Sequence, residues 1–581
     1  MLNGPEDDPP DWLSIDWQRV ELDVRRLRQR IFTATQAGDL KRVRSLQKLM
    51  LRSRANTLMS VRRVTEVNAG RKTPGVDGKV VLLSSVKAEL ADWVQHNAKP
   101  WQARPVRRVY IPKKGGKRPL GIPVIVDRVL QARVVNALEP EWEARFEPKS
   151  YGFRPGRGCH DAIEAVFNVA KGANPKRRWV LDADLAAAFD HLNHDHILSS
   201  LGTFPARELV RQWLRAGVVE DGRFTVTEEG APQGGVISPL IMNVALHGME
   251  HAAGVRYQTS GLQAGVMAPG SPTVVRYADD LLALCHSKHE AEQVKARLAG
   301  WLALRGLVFN EDKTHIVTLA EGFDFLGFTV RRQSGKLLIK PSKAALRRIR
   351  ERLRTEMRAL RGANAFAVVK RLNPIIRGWA AYYRTVVSSK IFQALDAYVW
   401  KLAYKWAKHS HPSKPKRWIV SRYFGAFNTS RRDRWVFGDR DSGAYLAKFA
   451  WTKIVRHTLV KGRSSPDDPA LAQYWVDRRR KGPPLPMSRA SLHLLFAQRW
   501  LCPVCRGLLL HADRPPQSPQ EWEQWLAATR KAIAKSYLTV REDGTPDDTT
   551  IRLIHAQCQR RPIDYGTGTA LLPTCEPSRL A

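Results

Sequence analysis

Apolar residues recur at helical spacing near the start of the chain, where Val20, Val24, Leu27 and Ile31 stand among arginines and predict an amphipathic basic helix. Gly38-Asp39 interrupts that pattern. A second helix is expected over residues 40–67, stopped by Asn68-Ala69-Gly70 and the Thr73-Pro74-Gly75 turn. The first ten residues, acidic and proline-rich, predict a frayed end. From Arg107 the texture changes to short strands and turns, and two basic, strand-like runs flank Gly115-Gly116, predicting a hairpin with Lys and Arg at its tip. Mixed strand and helix patterns continue to about Val330, and from Ser342 the chain becomes helical and basic. Residues 346–361 hold seven Arg against two Glu, with Leu346, Ile349, Leu353 and Leu360 on an apolar side, so one face packs and the other can track a polyanion. A polar stretch over residues 461–486, rich in Pro, Asp, Arg and Ser, reads as a linker.

A chain of 581 residues exceeds one hydrophobic core and should divide into three or four units. The 95 Lys and Arg against 55 Asp and Glu give a formal charge of +40, more than solubility requires, and call for a nucleic-acid partner. A membrane partner is disfavoured, since no apolar run of about 18 residues and no signal peptide is found, and the cytoplasm is the expected location. Of six cysteines, Cys502, Cys505, Cys558 and Cys575 crowd the C-terminus, which suggests a metal site rather than a disulfide framework.

The strongest chemical signal is Val274-Val275-Arg276-Tyr277-Ala278-Asp279-Asp280-Leu281-Leu282-Ala283-Leu284, two apolar strands around a turn with adjacent carboxylates. Two neighbouring anions repel unless a cation neutralises them, and hard oxygen ligands suit Mg²⁺. A second strand, Trp179-Val180-Leu181, runs into Asp182-Ala183-Asp184, so strands meeting there can hold two divalent ions for attack on a nucleotide phosphate. Each cluster alone reads equally as a solvated turn, and the basic hairpin alone as an ordinary exposed one. Between the acids lies Gly230-Ala231-Pro232-Gln233-Gly234-Gly235, whose glycines permit close backbone approach and whose Gln233 amide can touch a base or sugar. His191, His194 and His196 show no zinc or catalytic spacing and read as surface or packing residues.

In order and spacing these segments, with Ser150-Tyr151-Gly152-Phe153-Arg154-Pro155-Gly156-Arg157, Phe189-Asp190, Lys313-Thr314 and Phe323-Asp324-Phe325-Leu326-Gly327-Phe328, resemble the fingers and palm of group II intron reverse transcriptases. Arg377-Gly378-Trp379-Ala380-Ala381-Tyr382-Tyr383-Arg384 is similar to their thumb, or maturase, segment. The resemblance implies an α+β right-hand polymerase. Its parts are a basic helical extension (residues 12–100), fingers and palm (101–335), a helical thumb or maturase domain (336–460), the linker (461–486) and a small zinc-bearing, DNA-binding end (487–581).

Position by position, the resemblance implies that Asp184, Asp279 and Asp280 bind two Mg²⁺ ions, with Asp182 a neighbour. It gives Lys113 and Arg118 the incoming triphosphate, Phe189 the sugar gate, Gln233 the nucleotide pocket and Lys313 the departing pyrophosphate. Phe325, Leu326, Gly327 and Phe328 would grip the primer. Arg377, Trp379, Tyr382, Tyr383 and Arg384 either clamp and stack on RNA or pack within the helices. The implied partners are intron RNA, target DNA, an RNA template–DNA primer duplex and deoxynucleoside triphosphates, met at the nucleoid when DNA is the target. A maturase whose polymerase has decayed, and a reverse transcriptase adopted for phage defence, are the competing functions. The intact acids favour the active enzyme over the decayed one.

At the C-terminus, Cys502, Cys505, His555 and Cys558 form two ligand pairs with the spacing of a tetrahedral zinc site. The region resembles the HNH endonuclease domain of many such proteins, but Gln559 stands where a His commonly follows the Cys, and only His511 lies between the pairs. A zinc-stabilised remnant that binds DNA without cutting it is expected.

Overall fold

The structure, a computed structural model, describes residues 12–98, 100–113, 116–260, 266–480, 489–498, 500, 502–503, 509, 516–539, 549–556 and 558. The first ten residues therefore lie outside the described part. Two units separate: residues 1–483 with 512–524, and residues 484–511 with 525–581.

In the larger unit, the first helix, Trp17–Gln36, is capped by Asp16, which accepts from the backbone of Gln18 and Arg19. Gly38, at φ +73°, makes the reversal, and Asp39 caps the next helix, Leu40–Arg52. The single helix expected over 40–67 is instead broken at Ser53. That residue leaves the helical backbone region and caps a new helix, Arg54–Arg62, by accepting from Asn56 N–H. These helices pack on Ile125–Arg145, a helix buried along most of its length. Its polar residues have matched partners: Asn136 donates to Asn56 at 2.7 Å, and Asp127 accepts from both Trp101 and Trp213 at 2.8 Å.

Three sheets of three or four strands follow. Strands β1 (Val106–Lys113) and β2 (Gly116–Ile122) form the expected hairpin, with Lys113 opposite Gly116. With β4 (Val218–Glu220) and β5 (Arg223–Thr225) they make a sheet in the order β2-β1-β4-β5. The central sheet combines β3 (Trp179–Asp184), β6 (Thr273–Tyr277), β7 (Asp280–Cys285) and β8 (His315–Thr318) in the order β6-β7-β3-β8. The third joins β9 (Phe323–Phe325), β10 (Phe328–Gln333) and β11 (Lys336–Pro341).

The central sheet is buried on both faces. Leu181, Ala183, Val274, Leu281 and Ala283 enter one core, while Val180, Val275, Leu282 and Leu284 enter a second core shared with the helices after Ser342. In a strand covered on both sides a charge without fixed partners is least costly at the end, which is where Asp184, Asp279 and Asp280 lie.

The stretch expected to be a linker is corrected over residues 461–480. Ser465 and Asp467 are buried, and residues 472–480 form a helix. Its polarity is consumed internally: Arg28 bridges Asp467 and Glu139 at 2.7 and 2.9 Å, and Arg157 donates to the carbonyls of Gly462 and Ser464. Among the described residues, no helix is long and apolar enough to cross a membrane.

Candidate active site

Strand pairing builds the acidic centre. Asp184 lies opposite Asp280 across β3 and β7, and Tyr277 lies opposite Asp280 across β6 and β7, so the three share one edge and one face. Ala278, at φ +57°, makes the turn that carries Asp279, a left-handed conformation uncommon for a residue with a Cβ. Buried neighbours hold that turn. Arg276, 2% exposed, donates to Ala278 O at 3.1 Å, Asn243 Oδ1 at 3.0 Å and Ser150 Oγ at 2.6 Å. A Cβ on Gly152 would lie 2.2 Å from Ala278 N, so only glycine lets the 150–157 loop pass. Arg154 fixes that loop by a paired bond to Glu143, 2.9 Å at each oxygen.

The carboxylates of this edge repel one another. Burial, then repulsion from Asp279 and Asp184, pushes the Asp280 carboxyl up to about 7. Asp182 is likewise pushed up to about 7, by burial and then by Asp324 and Asp184. Lys313 Nζ donates to Asp184 Oδ2 at 2.5 Å, a cation already drawn to this edge. Hard oxygen donors, mutual repulsion and an attracted ammonium together fit a divalent ion. Asp184, Asp279 and Asp280 are not, however, among the described groups whose ligand atoms all lie within 4.8 Å of one another.

One loop joins three of the expected nucleotide residues, Arg118, Gln233 and Phe189. Arg118 Nε donates to Gln233 Oε1 at 2.7 Å, and Gln233 O accepts from Gly121 N–H at 2.7 Å, locking the 230–237 loop to β2. Gly234, at φ +124°, is required there, because a Cβ would come within 2.8 Å of Gly121 O. The same loop reaches Phe189 through Ala231 N–H to Phe189 O at 2.7 Å; the Phe189 ring is buried edge-on to Phe153. The Lys113 side chain lies outside the described residues.

Three family profiles match the chain in order: the N-terminal domain of reverse transcriptase over residues 12–94, the reverse transcriptase (RNA-dependent DNA polymerase) over residues 111–330, and the group II intron maturase-specific domain over residues 346–424. Protein YkfC of Escherichia coli (strain K12) is 34% identical over 336 residues, an alignment covering 52% of this chain and 87% of YkfC. The chain belongs to the group II intron reverse transcriptase and maturase family. Group II intron-encoded protein LtrA of Lactococcus lactis subsp. cremoris is 37% identical over 153 residues, a quarter of each chain. A telomerase structure from Candida albicans, in complex with a fragment of telomeric RNA, superposes over 55% of this chain and 64% of its own at 13% identity, with a TM-score of 0.30 too low to argue from. The group II intron protein is thus an RNA-directed DNA polymerase joined to a splicing maturase, with RNA, DNA and nucleotides as its classes of partner.

In this group II intron protein, the expected primer-gripping residues form the turn from β9 to β10, with Leu326 at φ +51° and Gly327 at φ +82° between buried Phe325 and Phe328. The helix Ala365–Tyr383 holds that turn. Tyr382 donates to Leu326 O at 3.1 Å and Tyr383 to Gly327 O at 3.2 Å. This corrects the expectation of RNA contact for part of the segment. Trp379, Tyr382, Tyr383 and Arg384 are 2–7% exposed, leaving no free face for a base, and only Arg377 is half-buried. Trp379, Tyr382 and Tyr383 pack within the second core. Of the three histidines, His194 is a packing residue that bonds Gly230 O at 2.7 Å, and His191 pairs with exposed Glu229.

In the smaller unit, Cys502, His555 and Cys558 place their ligand atoms within 4.8 Å of one another, and both cysteines are buried. Cys505, His511, Gln559 and Cys575 lie outside the described residues.

Sequence reasoning missed the supports of the centre: Arg276, Asn243 and Glu143. The available signal was a lone arginine inside the apolar run 274–284, since a charge in a strand buried on both faces requires fixed partners.

Proposed function

We propose that the protein copies RNA into DNA at the palm edge and binds its own intron's RNA to promote splicing, with target-primed reverse transcription supporting mobility of the intron. The observation that carries this reading is the juxtaposition of Asp184, Asp280 and the Asp279 turn on one sheet edge, with Arg118 of the β1–β2 hairpin bonded to Gln233 of the 230–237 loop. Asp184, Asp279 and Asp280 are the residues that would hold two Mg²⁺ ions. When bound, such ions supply charge neutralisation and activation of the primer hydroxyl. Lys113 and Arg118 bind the triphosphate, Phe189 excludes a 2′-hydroxyl, and Gln233 orients the nucleotide. Lys313 gives up Asp184 to accompany pyrophosphate. The β9–β10 turn seats the primer end.

The exposed faces of the thumb, not its aromatic interior, meet RNA. A cleft of about 490 Å³ lined by Lys343, Arg347, Arg350, Arg354 and Tyr398, with Leu346 and a single acid, Glu351, offers guanidinium groups beside an aromatic ring. In the tail, Cys502, His555 and Cys558 with Cys505 hold structural zinc in a DNA-binding remnant. The test supplies the full chain with an RNA template, a DNA primer, deoxynucleotides and Mg²⁺, and separately with its intron RNA. Extension abolished by chelation, and splicing enhanced by the protein, are the expected results. Splicing help without extension replaces this reading with a maturase alone, and RNA affinity insensitive to salt removes the basic surfaces from it.

A further inference from the structure

One residue reaches the catalytic turn from far along the chain. Gln517 stands beyond residue 424, where the last matched family profile ends. Its side-chain oxygen Oε1 accepts from Tyr277 Oη at 3.0 Å and from Cys159 N–H at 2.6 Å. One amide oxygen thus meets the residue across the sheet from Asp280 and the first residue of the helix Cys159–Ala170. Two donors fill both lone pairs of a carbonyl oxygen, so its position is fixed.

The chain around Gln517 is built to present it. Ser518 precedes the helix Pro519–Ala532 and accepts from Glu521 N–H at 3.1 Å, while Glu521 reaches back to accept from Gln517 N–H at 2.9 Å. These reciprocal bonds at the helix start set the Gln517 backbone. Two glycines clear its path. A Cβ on Gly158 would lie 2.8 Å from Gln517 Nε2, and one on Gly378 would lie 2.8 Å from Pro519 O and 2.9 Å from Glu523 N. Arg352 of the thumb donates to Glu523 at 2.8 Å, and Trp522 packs against the core that also receives Tyr277 and Leu326. Residues 516–524 therefore run from the Asp279-Asp280 turn to the thumb.

We propose that Gln517 is a positioning residue of the polymerase: by holding the Tyr277 hydroxyl it fixes the Tyr277-Ala278-Asp279-Asp280 turn, and the segment 516–524 is a working part of the polymerase site. The inference rests on the polymerase reading above. It assigns Gln517 no contact with substrate; its action passes through Tyr277.

The experiment measures steady-state primer extension by the full chain for native, Q517A, Q517E, Y277F and Q517A/Y277F proteins, with a thermal melt of each. Extension by the native chain tests the polymerase reading, and the ratios among variants test this one. Q517A and Y277F should each lower kcat by about three- to tenfold, the weight of one hydrogen bond, with the deoxynucleotide KM little changed. The double variant should be no slower than Q517A, because the Tyr277 bond is already lost there and only the Cys159 N–H bond separates Q517A from Y277F. Q517E, which keeps an acceptor, should retain more of the native rate than Q517A. Multiplying effects in the double variant, or a native kcat in Q517A, overturn the proposal. A Q517A protein that loses rate only in proportion to its loss of folded material, with Q517E no better, overturns it as well.

Discussion

The palm edge and the thumb segment 377–384 are equally rich in charged and aromatic side chains, yet the fold treats them oppositely. In the palm, β3 and β7 are covered on both faces, so their carboxylates gather at the strand ends. In the thumb, the helix Ala365–Tyr383 runs through a core, and its aromatic rings face inward to bond the β9–β10 turn. The comparison teaches that residue type tells what a segment can do, while the number of covered faces decides whether it meets a ligand or supports another element. It also explains why the thumb's nucleic-acid surface is sought on the helix Lys343–Ala359, whose buried stripe of Ala345, Ile349, Leu353 and Met357 leaves its arginines outside.

The largest effect separating the two regions should come from Asp280→Asn. It should reduce primer extension on the order of 10³-fold or more, the scale of losing a group that neutralises charge in phosphoryl transfer. Its melting temperature should hold or rise, because the native carboxylate is repelled by Asp279 and Asp184. A variant that melts earlier and keeps its specific activity would make the edge structural, like the thumb interior. Next, Arg154→Ala leaves Glu143 unpaired in a site where both side chains are 1% exposed, and should cost about 3–5 kcal/mol in denaturant unfolding. A loss under about 1 kcal/mol would mean the loop behind the Asp279 turn is held by something else.

Smaller still, Tyr382→Phe should cost about 1 kcal/mol of stability and some primer-end binding while leaving intron RNA affinity intact, since the bonds removed, to Leu326 O and the Cys159 thiol, are internal. A selective fall in RNA affinity would return this residue to the nucleic-acid surface. Last, without divalent ions, stability should fall as pH rises from about 4 to about 7, because Asp280 and Asp182 hold protons more tightly folded than unfolded. Mg²⁺ should flatten that slope by favouring the ionised form, and a slope indifferent to Mg²⁺ would separate these acids from metal binding.

Much of this arrangement is legible in the chain because short continuous apolar runs that meet aspartates have few physical solutions. The β1–β2 hairpin, the Gly38 reversal and the helical stretch after Ser342 follow from local pattern alone. What the pattern hides is long-range satisfaction. Ser53 looks like any helical serine until its backbone turns outward and its hydroxyl caps the next helix. Residues 461–480 have a linker's composition, but Arg28 and Arg157, more than 300 residues earlier, bind them into the larger unit. The bond from Tyr277 to Gln517 spans 240 residues and has no local signature.

The most direct test of the account is RNA-templated primer extension with deoxynucleotides and Mg²⁺, comparing the native full chain with Asp279→Ala, whose folding and RNA binding are checked in parallel. The account predicts extension by the native protein and none by the folded, RNA-binding variant. Equal extension by both proteins would contradict a polymerase centred on the palm carboxylates.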